Sequence, residues 1–354
     1  MCRLKCSLRV SLSAVLLALL TLGEGCAKLP QLANLSHLAR RERPRSILAN
    51  IDPTRPQLKL NQLQLKGSHN SYHRAPLIPL SRTWRYSHAP LDVQLESQGV
   101  RQLELDVRYE RGQLFVNHLP FVDGRSTCKR LTDCLGRVKR WSRAHPSHLP
   151  VFVLIEVKDD LAPSRLDGRL DAIDFAITRV FPRHMLLMPE DVVGTSPSLR
   201  DAVVERGWPS LDESRGQIAF VMFGPRRHKR AYTHNRPRLE GRVMFVAEAT
   251  ARFAHSSVLF YDDPIARRTQ IAAAVRQNFL VRTRADASLV RNRRRRDAAL
   301  ASGAHFISSD FVDPRFGWLE LGDSAPGRCN PLVSGPRCSP LALVESQQPA
   351  VAAR

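Results

Sequence analysis

The stretch LQLKGSHNSYH, Leu63–His73, opens as an apolar-leaning strand candidate and ends in two histidines, an asparagine and two serines. A strand that ends in so much polar chemistry places reactive side chains at its C-terminal edge. Further strand candidates follow: QLELDV (102–107), VFVLIEV (151–157), QIAFVMF (217–223), RVMFVAE (242–248), FLVRTR (279–284), HFISSD (305–310) and the weaker HMLLM (184–188). Helical patterns fall between several of them, at Pro90–Gln98, Leu135–Arg143, Leu166–Val180, Leu199–Arg206 and Arg267–Asn278, with Gly99 placed to end the first. Eight strands alternating with helices over about 270 residues predict a single-domain α/β fold, a (β/α)8 barrel. A doubly wound open sheet is the alternative, but no G-x-G-x-x-G or P-loop opens a helix.

One segment interrupts the alternation. FVNH (115–118) reads as a strand too close to QLELD for a parallel crossover, so it must return antiparallel through a turn around Gly112. A three-residue loop, Arg111–Gln113, would set His118 opposite Asp106. A two-residue loop would set it opposite Leu105 and turn it to the other face. The functional reading below expects the first register, or its equivalent opposite Glu104.

At the N-terminus, Arg3, Lys5 and Arg9 precede the apolar run Val10–Leu22 and the small residues Gly25 and Ala27. This is the pattern of a signal peptide over 1–27 and predicts a secreted or extracytoplasmic protein. Lipid anchoring at Cys26 is the rival, although Glu24 suits it badly. Residues 28–57 read as a linker or arm, 58–339 as the barrel and 340–354 as a flexible tail.

Three of seven cysteines fall in the leader. The others form two local pairs, STCKRLTDC with Cys128 and Cys134, and RCNPLVSGPRC with Cys329 and Cys338. In an oxidising compartment these read as two disulfides, and neither pair has the short spacing of a zinc site. The net charge of +21, about +19 without the leader, favours anionic partners such as phospholipid surfaces. The densest run, VRNRRRRDAA (290–299), reads as a solvated helix face. No nucleic-acid-binding module is recognisable, so nucleic acid is not expected as a partner.

Taken in order, the strand ends deliver His69 and Asn70, then Glu104 and Asp106 two apart on one face, then Glu156 and Lys158 likewise. The hairpin should bring His118 to their level. Three carboxylates and an amide oxygen converging in a barrel mouth would repel one another unless a cation joined them. Hard oxygen donors suit Ca2+ or Mg2+. Two imidazoles would remain for proton transfer, which is a phosphodiester-cleaving arrangement. His73, four residues after His69, lacks the helix and glutamate of a zinc pair. His88, His145, His148, His184, His228, His234, His255 and His305 have no such company and read as structural or surface residues.

GSHNSYH, QLELDVRY, FVNHLP and FVLIEVKDD resemble the successive motifs of the calcium-dependent phosphatidylinositol-specific phospholipases C. SLRDAVVERGWPSLDESRGQIAFVM, FLVRTRAD, ALASGAHFISSDF and RCNP agree with them. The resemblance runs from about Leu60 to Pro331. It implies a (β/α)8 barrel that cleaves phosphoinositides by attack of the inositol 2-hydroxyl on phosphorus, releasing diacylglycerol. By the same resemblance His69 would assist the attack and His118 would protonate the departing glycerol oxygen. Asn70, Glu104, Asp106 and Glu156 would hold Ca2+, and Lys158 and Arg284 would hold phosphate or inositol oxygens. The expected partner is a phospholipid at a membrane surface, met by a monomer.

Two alternatives stand beside this. Glycerophosphodiester phosphodiesterases and sphingomyelinases D share the E-x-D strand but open with H-R-G, where this chain has His69-Asn70-Ser71. A catalytically inactive barrel binding anionic surfaces would not need both histidines and all four oxygen ligands.

Overall fold

Buried from end to end, Leu63–Ser68 forms β1. In chain order there follow α1 (Leu91–Ser97), β2 (Gln102–Glu110), β3 (Gln113–Val116), α2 (Leu131–Ala144), β4 (Val151–Val157) and α3 (Leu166–Val180). Next come β5 (Leu186–Leu187), α4 (Leu199–Arg206), β6 (Ile218–Phe223), α5 (Arg226–Thr233), β7 (Phe245–Glu248) and β8 (Val258–Phe260). The last are α6 (Arg268–Arg276), β9 (Leu280–Arg284), α7 (Arg293–Ala301), β10 (Phe306–Ser309) and β11 (Gly327–Cys329). This computed structural model describes residues 57–158, 166–322, 326–335 and 338–345. The expected signal peptide (1–27) and all but the last residue of the expected linker lie outside the described residues.

The strands β1, β2, β4, β6, β7, β8, β9 and β10 run parallel, each beside the next, and β10 returns to β1. They form the closed eight-stranded barrel that the alternation predicted. The β1–β2 seam is knit at Gly67↔Gln102, where a Cβ on residue 67 would lie 2.1 Å from Gln102 Oε1. Glycine here leaves room for the Gln102 side chain, whose amide donates to Ser68 O and accepts from Ser308. Strand β3 adds antiparallel to β2, and β11 antiparallel to β1.

Side-chain alternation divides each stave. On β4, Val151, Val153 and Ile155 share one face while Phe152, Leu154 and Glu156 share the other. The rings of Phe152 and Phe306 meet at 4.6 Å, and above them the inner residues become polar towards the C-terminal ends. Gly99, at φ +65°, ends α1 as anticipated.

Four expectations need correction. HMLLM contributes only the two-residue β5 beside the start of β6. The missing stave is β8, whose three residues between Ser257 and Tyr261 are too few to show a period. The hairpin takes the two-residue loop: Glu110 pairs with Gln113 and Val107 with Val116. Arg111 and Gly112 both have positive φ, 48° and 79°, the type I′ turn whose twist matches that of the flanking strands. Lastly, residues 340–345, assigned to the tail from the sequence, pack on the barrel. Leu343 is buried, and Glu345 accepts from Arg101 Nε at 2.8 Å and Leu149 N at 2.6 Å. Residues 346–354 lie outside the described residues.

Candidate active site

The C-terminal ends of β1, β2, β4, β9 and β10 converge on one pocket. Its lining includes His69, Asn70, His118, Glu156, Lys158, Arg284 and Asp310. The β1 end turns sharply, with Asn70 at φ +46°, a left-handed conformation that asparagine tolerates better than most residues.

Asp106 is the direct partner of Glu156 in the β2–β4 register, and Glu104 sits two residues before Asp106 on the same face. Glu104, Asp106 and Glu156 offer carboxylate oxygens that all lie within 4.8 Å of one another. Asp106 is fully buried. Burial and the neighbouring Glu156 charge push its pKa up to about 7, against the pull of Lys158. Neither of its oxygens has a well-formed hydrogen bond, although Lys158 Nζ stands 3.2 Å from Oδ2 and 2.8 Å from Glu156 Oε2. Arg282, buried inside the barrel, offsets Glu104 at 2.8 Å and also bonds Asp262. Unsatisfied buried oxygens in a set of hard donors fit Ca2+ or Mg2+. Glu104, Asp106 and Glu156 could hold such an ion, with Asn70 adding an amide oxygen from the same pocket.

The two imidazoles are each held from behind. His69 Nδ1 donates to Asp310 Oδ1 at 2.6 Å, and Arg284 takes Asp310 Oδ2 at 3.0 Å. Burial alone would raise Asp310, but the bond from His69 and the charges of His69 and Arg284 hold its carboxyl well below the usual range. His69 Nε2 lies between Arg284 Nη1 at 3.3 Å and Glu104 Oε1 at 3.6 Å. His118 Nδ1 donates to Asp123 Oδ2 at 2.8 Å. Burial lowers the His118 pKa, partly countered by Asp123.

His118 arrives by a route that the strand pattern did not predict. The observed register, continued, would turn it away from Glu104 and Asp106. Instead the ladder stops after Asn117 N donates to Asp106 O. The Arg108 guanidinium then holds the His118 carbonyl at 2.9 Å. The chain doubles back through Phe121, at φ +70°, so that Leu119 and Asp123 exchange backbone hydrogen bonds. Freed from the alternation, the ring reaches the pocket.

All eight residues singled out from the sequence therefore gather at the barrel mouth. Lys158 sits on Asp106 and Glu156, and Arg284 sits on Asp310 beside His69. Sequence reasoning missed Asp310, Asp123, Arg282 and the part played by His73. Asp310 closes the strand candidate HFISSD, and Arg282 shares a face with Arg284 two residues on; both signals were available. His73 is buried, with Nε2 2.8 Å from Asp123 Oδ1. Both anticipated disulfides are formed, Cys128–Cys134 and Cys329–Cys338. The arginine run opens α7 with Arg293 and Arg294 exposed. Arg295 instead reaches Arg284 O at 3.2 Å, and Arg296 lies over Trp318.

No curated protein matches the sequence. Among solved structures, the chain is similar to a calcium-dependent phosphoinositol-specific phospholipase C from a Pseudomonas species. Identity is 17%, over 81% of this chain and 100% of that one, with a TM-score of 0.58. It is also similar to the Ca2+-dependent phosphatidylinositol-specific phospholipase C from Streptomyces antibioticus, at 18% identity over 74% and 97% of the two chains and a TM-score of 0.57. At these identities the likeness speaks for the fold. The sequence profile of the family described as "Phosphoinositide phospholipase C, Ca2+-dependent" matches residues 58–117 and 108–331. Over most of its length, barrel and carboxylate-lined mouth included, the chain belongs to the Ca2+-dependent phosphoinositide phospholipase C family.

Proposed function

We propose that the protein is an exported phosphodiesterase that cleaves phosphatidylinositol-type lipids to diacylglycerol and an inositol phosphate, with His69 and His118 as its proton-transfer pair. The observation that carries this reading is the pair of imidazoles, each fixed at Nδ1 by a buried carboxylate, lining one pocket with Asn70 and Glu156, behind which Glu104 and Asp106 complete a cluster of oxygen donors. His69, with Nδ1–H committed to Asp310, would accept the proton of the inositol 2-hydroxyl at Nε2 as that oxygen bonds to phosphorus, the substrate hydroxyl taking the place of Arg284 Nη1, which lies 3.3 Å from Nε2. His118, with Nδ1–H committed to Asp123, has Nε2 free to deliver a proton to the glycerol oxygen as its bond to phosphorus breaks. The first inositol product is then a cyclic phosphodiester. Glu104, Asp106, Glu156 and Asn70 would hold Ca2+, which when bound supplies positive charge to the phosphoryl oxygens. Lys158 and Arg284 are long cationic donors at the same mouth and suit phosphate or inositol oxygens. The leader-like N-terminus and the two disulfides support export.

The test is a product assay on a panel of phosphoinositides, with and without a chelator. The parent should release diacylglycerol in a Ca2+-dependent manner. His69→Ala and His118→Ala should each lose about 10²–10⁴-fold; near-parent rates in both variants would remove the mechanism.

A further inference from the structure

The supports of the two imidazoles have the same layout. Asp310 gives one oxygen to His69 and the other to the Arg284 guanidinium. Asp123 gives Oδ2 to His118 and Oδ1 to His73 Nε2, both at 2.8 Å. We propose that His73 is a positioning residue for the reaction, holding the Asp123 carboxylate so that Asp123 can hold the His118 ring with Nε2 towards the leaving group. The inference rests on the reading of His118 as the proton donor.

His73 and Asp123 border the pocket but have relative exposures of only 1% and 0%, so they stand behind the His118 side chain, which is 27% exposed. The surroundings leave His73 little freedom. Its Nδ1 lies 3.0 Å from Tyr86 O, and the Tyr86 ring stacks on it at 4.2 Å and 19°. Its backbone N donates to Asn70 O, and its carbonyl accepts from His88 N. Because the Tyr86 carbonyl can only accept, Nδ1 carries a proton. The 2.8 Å contact between Nε2 and Asp123 Oδ1 pins one carboxylate oxygen and fixes the direction in which the other faces His118. Without His73, Asp123 Oδ1 would be a buried oxygen lacking its partner, and the carboxylate could swing, taking the His118 ring with it. Displacements near 1 Å at a proton-transfer group cost about 10²-fold.

A loosened proton donor has a signature that a merely loosened fold lacks. Protonation matters when the departing group is an alkoxide and hardly matters when it is a good leaving group such as 4-nitrophenolate. The experiment compares phosphatidylinositol with 4-nitrophenyl inositol phosphate for the parent, His118→Ala, His73→Leu, His73→Gln, Asp123→Asn and the His73→Leu/His118→Ala pair. His118→Ala first tests the proton-donor reading itself: equal losses on both substrates overturn that reading, whatever His73 does. Given a selective loss there, His73→Leu should lower kcat on phosphatidylinositol about 10- to 100-fold with little change in KM, and lower the nitrophenyl reaction less than about 3-fold. His73→Gln, whose amide can still donate to Asp123, should recover part of the loss, and the double variant should be no slower than His118→Ala alone. If His73→Leu does not fold, His73→Gln and Asp123→Asn carry the test through the same substrate ratio. Equal losses on both substrates, parent-like rates, or losses that multiply with His118→Ala would overturn the proposal.

Discussion

Asp106 and Glu156 face each other across the β2–β4 ladder with the Lys158 ammonium against both, at 3.2 and 2.8 Å. Two carboxylates placed side by side repel, and the Lys158 ammonium, with the Arg282 guanidinium on Glu104, supplies two positive charges against the three carboxylates of Glu104, Asp106 and Glu156. A divalent cation therefore has a thermodynamic reason to bind the folded chain. Ca2+ should raise the melting temperature without any substrate, by about 2.7 kcal/mol of stabilisation at a hundred times its Kd. A chelator should reverse the shift and Glu156→Gln should remove most of it. An unchanged melting curve at millimolar Ca2+ would count against these ligands.

His69 depends for its orientation on the 2.6 Å hydrogen bond from Nδ1 to Asp310 Oδ1. Asp310→Asn keeps the size of the side chain but can turn an NH2 group towards His69. Phosphodiester cleavage should fall about 10²-fold or more in kcat with a smaller effect on KM. A KM defect alone would reassign Asp310 to substrate binding.

Apolar side chains stand exposed on loops that leave the C-terminal ends of the staves. Leu77 and Ile78 follow β1 at 88% and 77% exposure, and Phe121 follows β3 fully exposed. Val290 and Phe316 follow β9 and β10 and are also exposed. In a strongly basic protein these side chains suit a surface of anionic lipid, where buried apolar area adds to electrostatic attraction. The pair Ile78→Ser and Phe121→Ser should weaken sedimentation with phosphatidylinositol-containing vesicles about tenfold or more. Raising salt should weaken it further for parent and variant alike. Vesicle binding unaffected by the pair would move the contact elsewhere.

Arg101 and Glu345 tie the end of the described chain to the wall of the barrel. Burial would raise the Glu345 pKa, but the hydrogen bond and charge of Arg101 outweigh it and leave the pKa below the ordinary value. A carboxyl lowered on folding contributes stability that is present above its unfolded value, near 4.3, and is lost as pH falls through its folded value. Glu345→Gln should therefore destabilise by about 1–3 kcal/mol in urea at pH 7. The gap between parent and variant should narrow as the pH is taken below about 4. A gap that widens in acid would reverse the sign of this contribution.

Much of the mouth was legible because strand alternation is a local property. Two residues of separation put Glu104 with Asp106 and Glu156 with Lys158, and no tertiary information was needed to see it. The path of His118 was not legible, since a loop that leaves the ladder obeys no period. The turn chemistry of Arg111-Gly112 selected the register that alternation alone would have judged unproductive. Asp310 reaches His69 across 241 residues of sequence, a distance at which pattern reasoning has no purchase. Stave β8 was hidden for the opposite reason, being too brief to carry a pattern at all.

The first stave lies against the last, Leu65 beside Phe306 and Ser68 beside Ser309. His69, near the start of the described residues, thus leans on a carboxylate made some 240 residues later. A nascent or clipped chain that stops before Asp310 lacks that carboxylate, and one that stops before Arg284 lacks its counter-charge as well. On the proposed mechanism, competence to attack lipid would come only with ring closure, and an unfinished copy would leave bilayers intact.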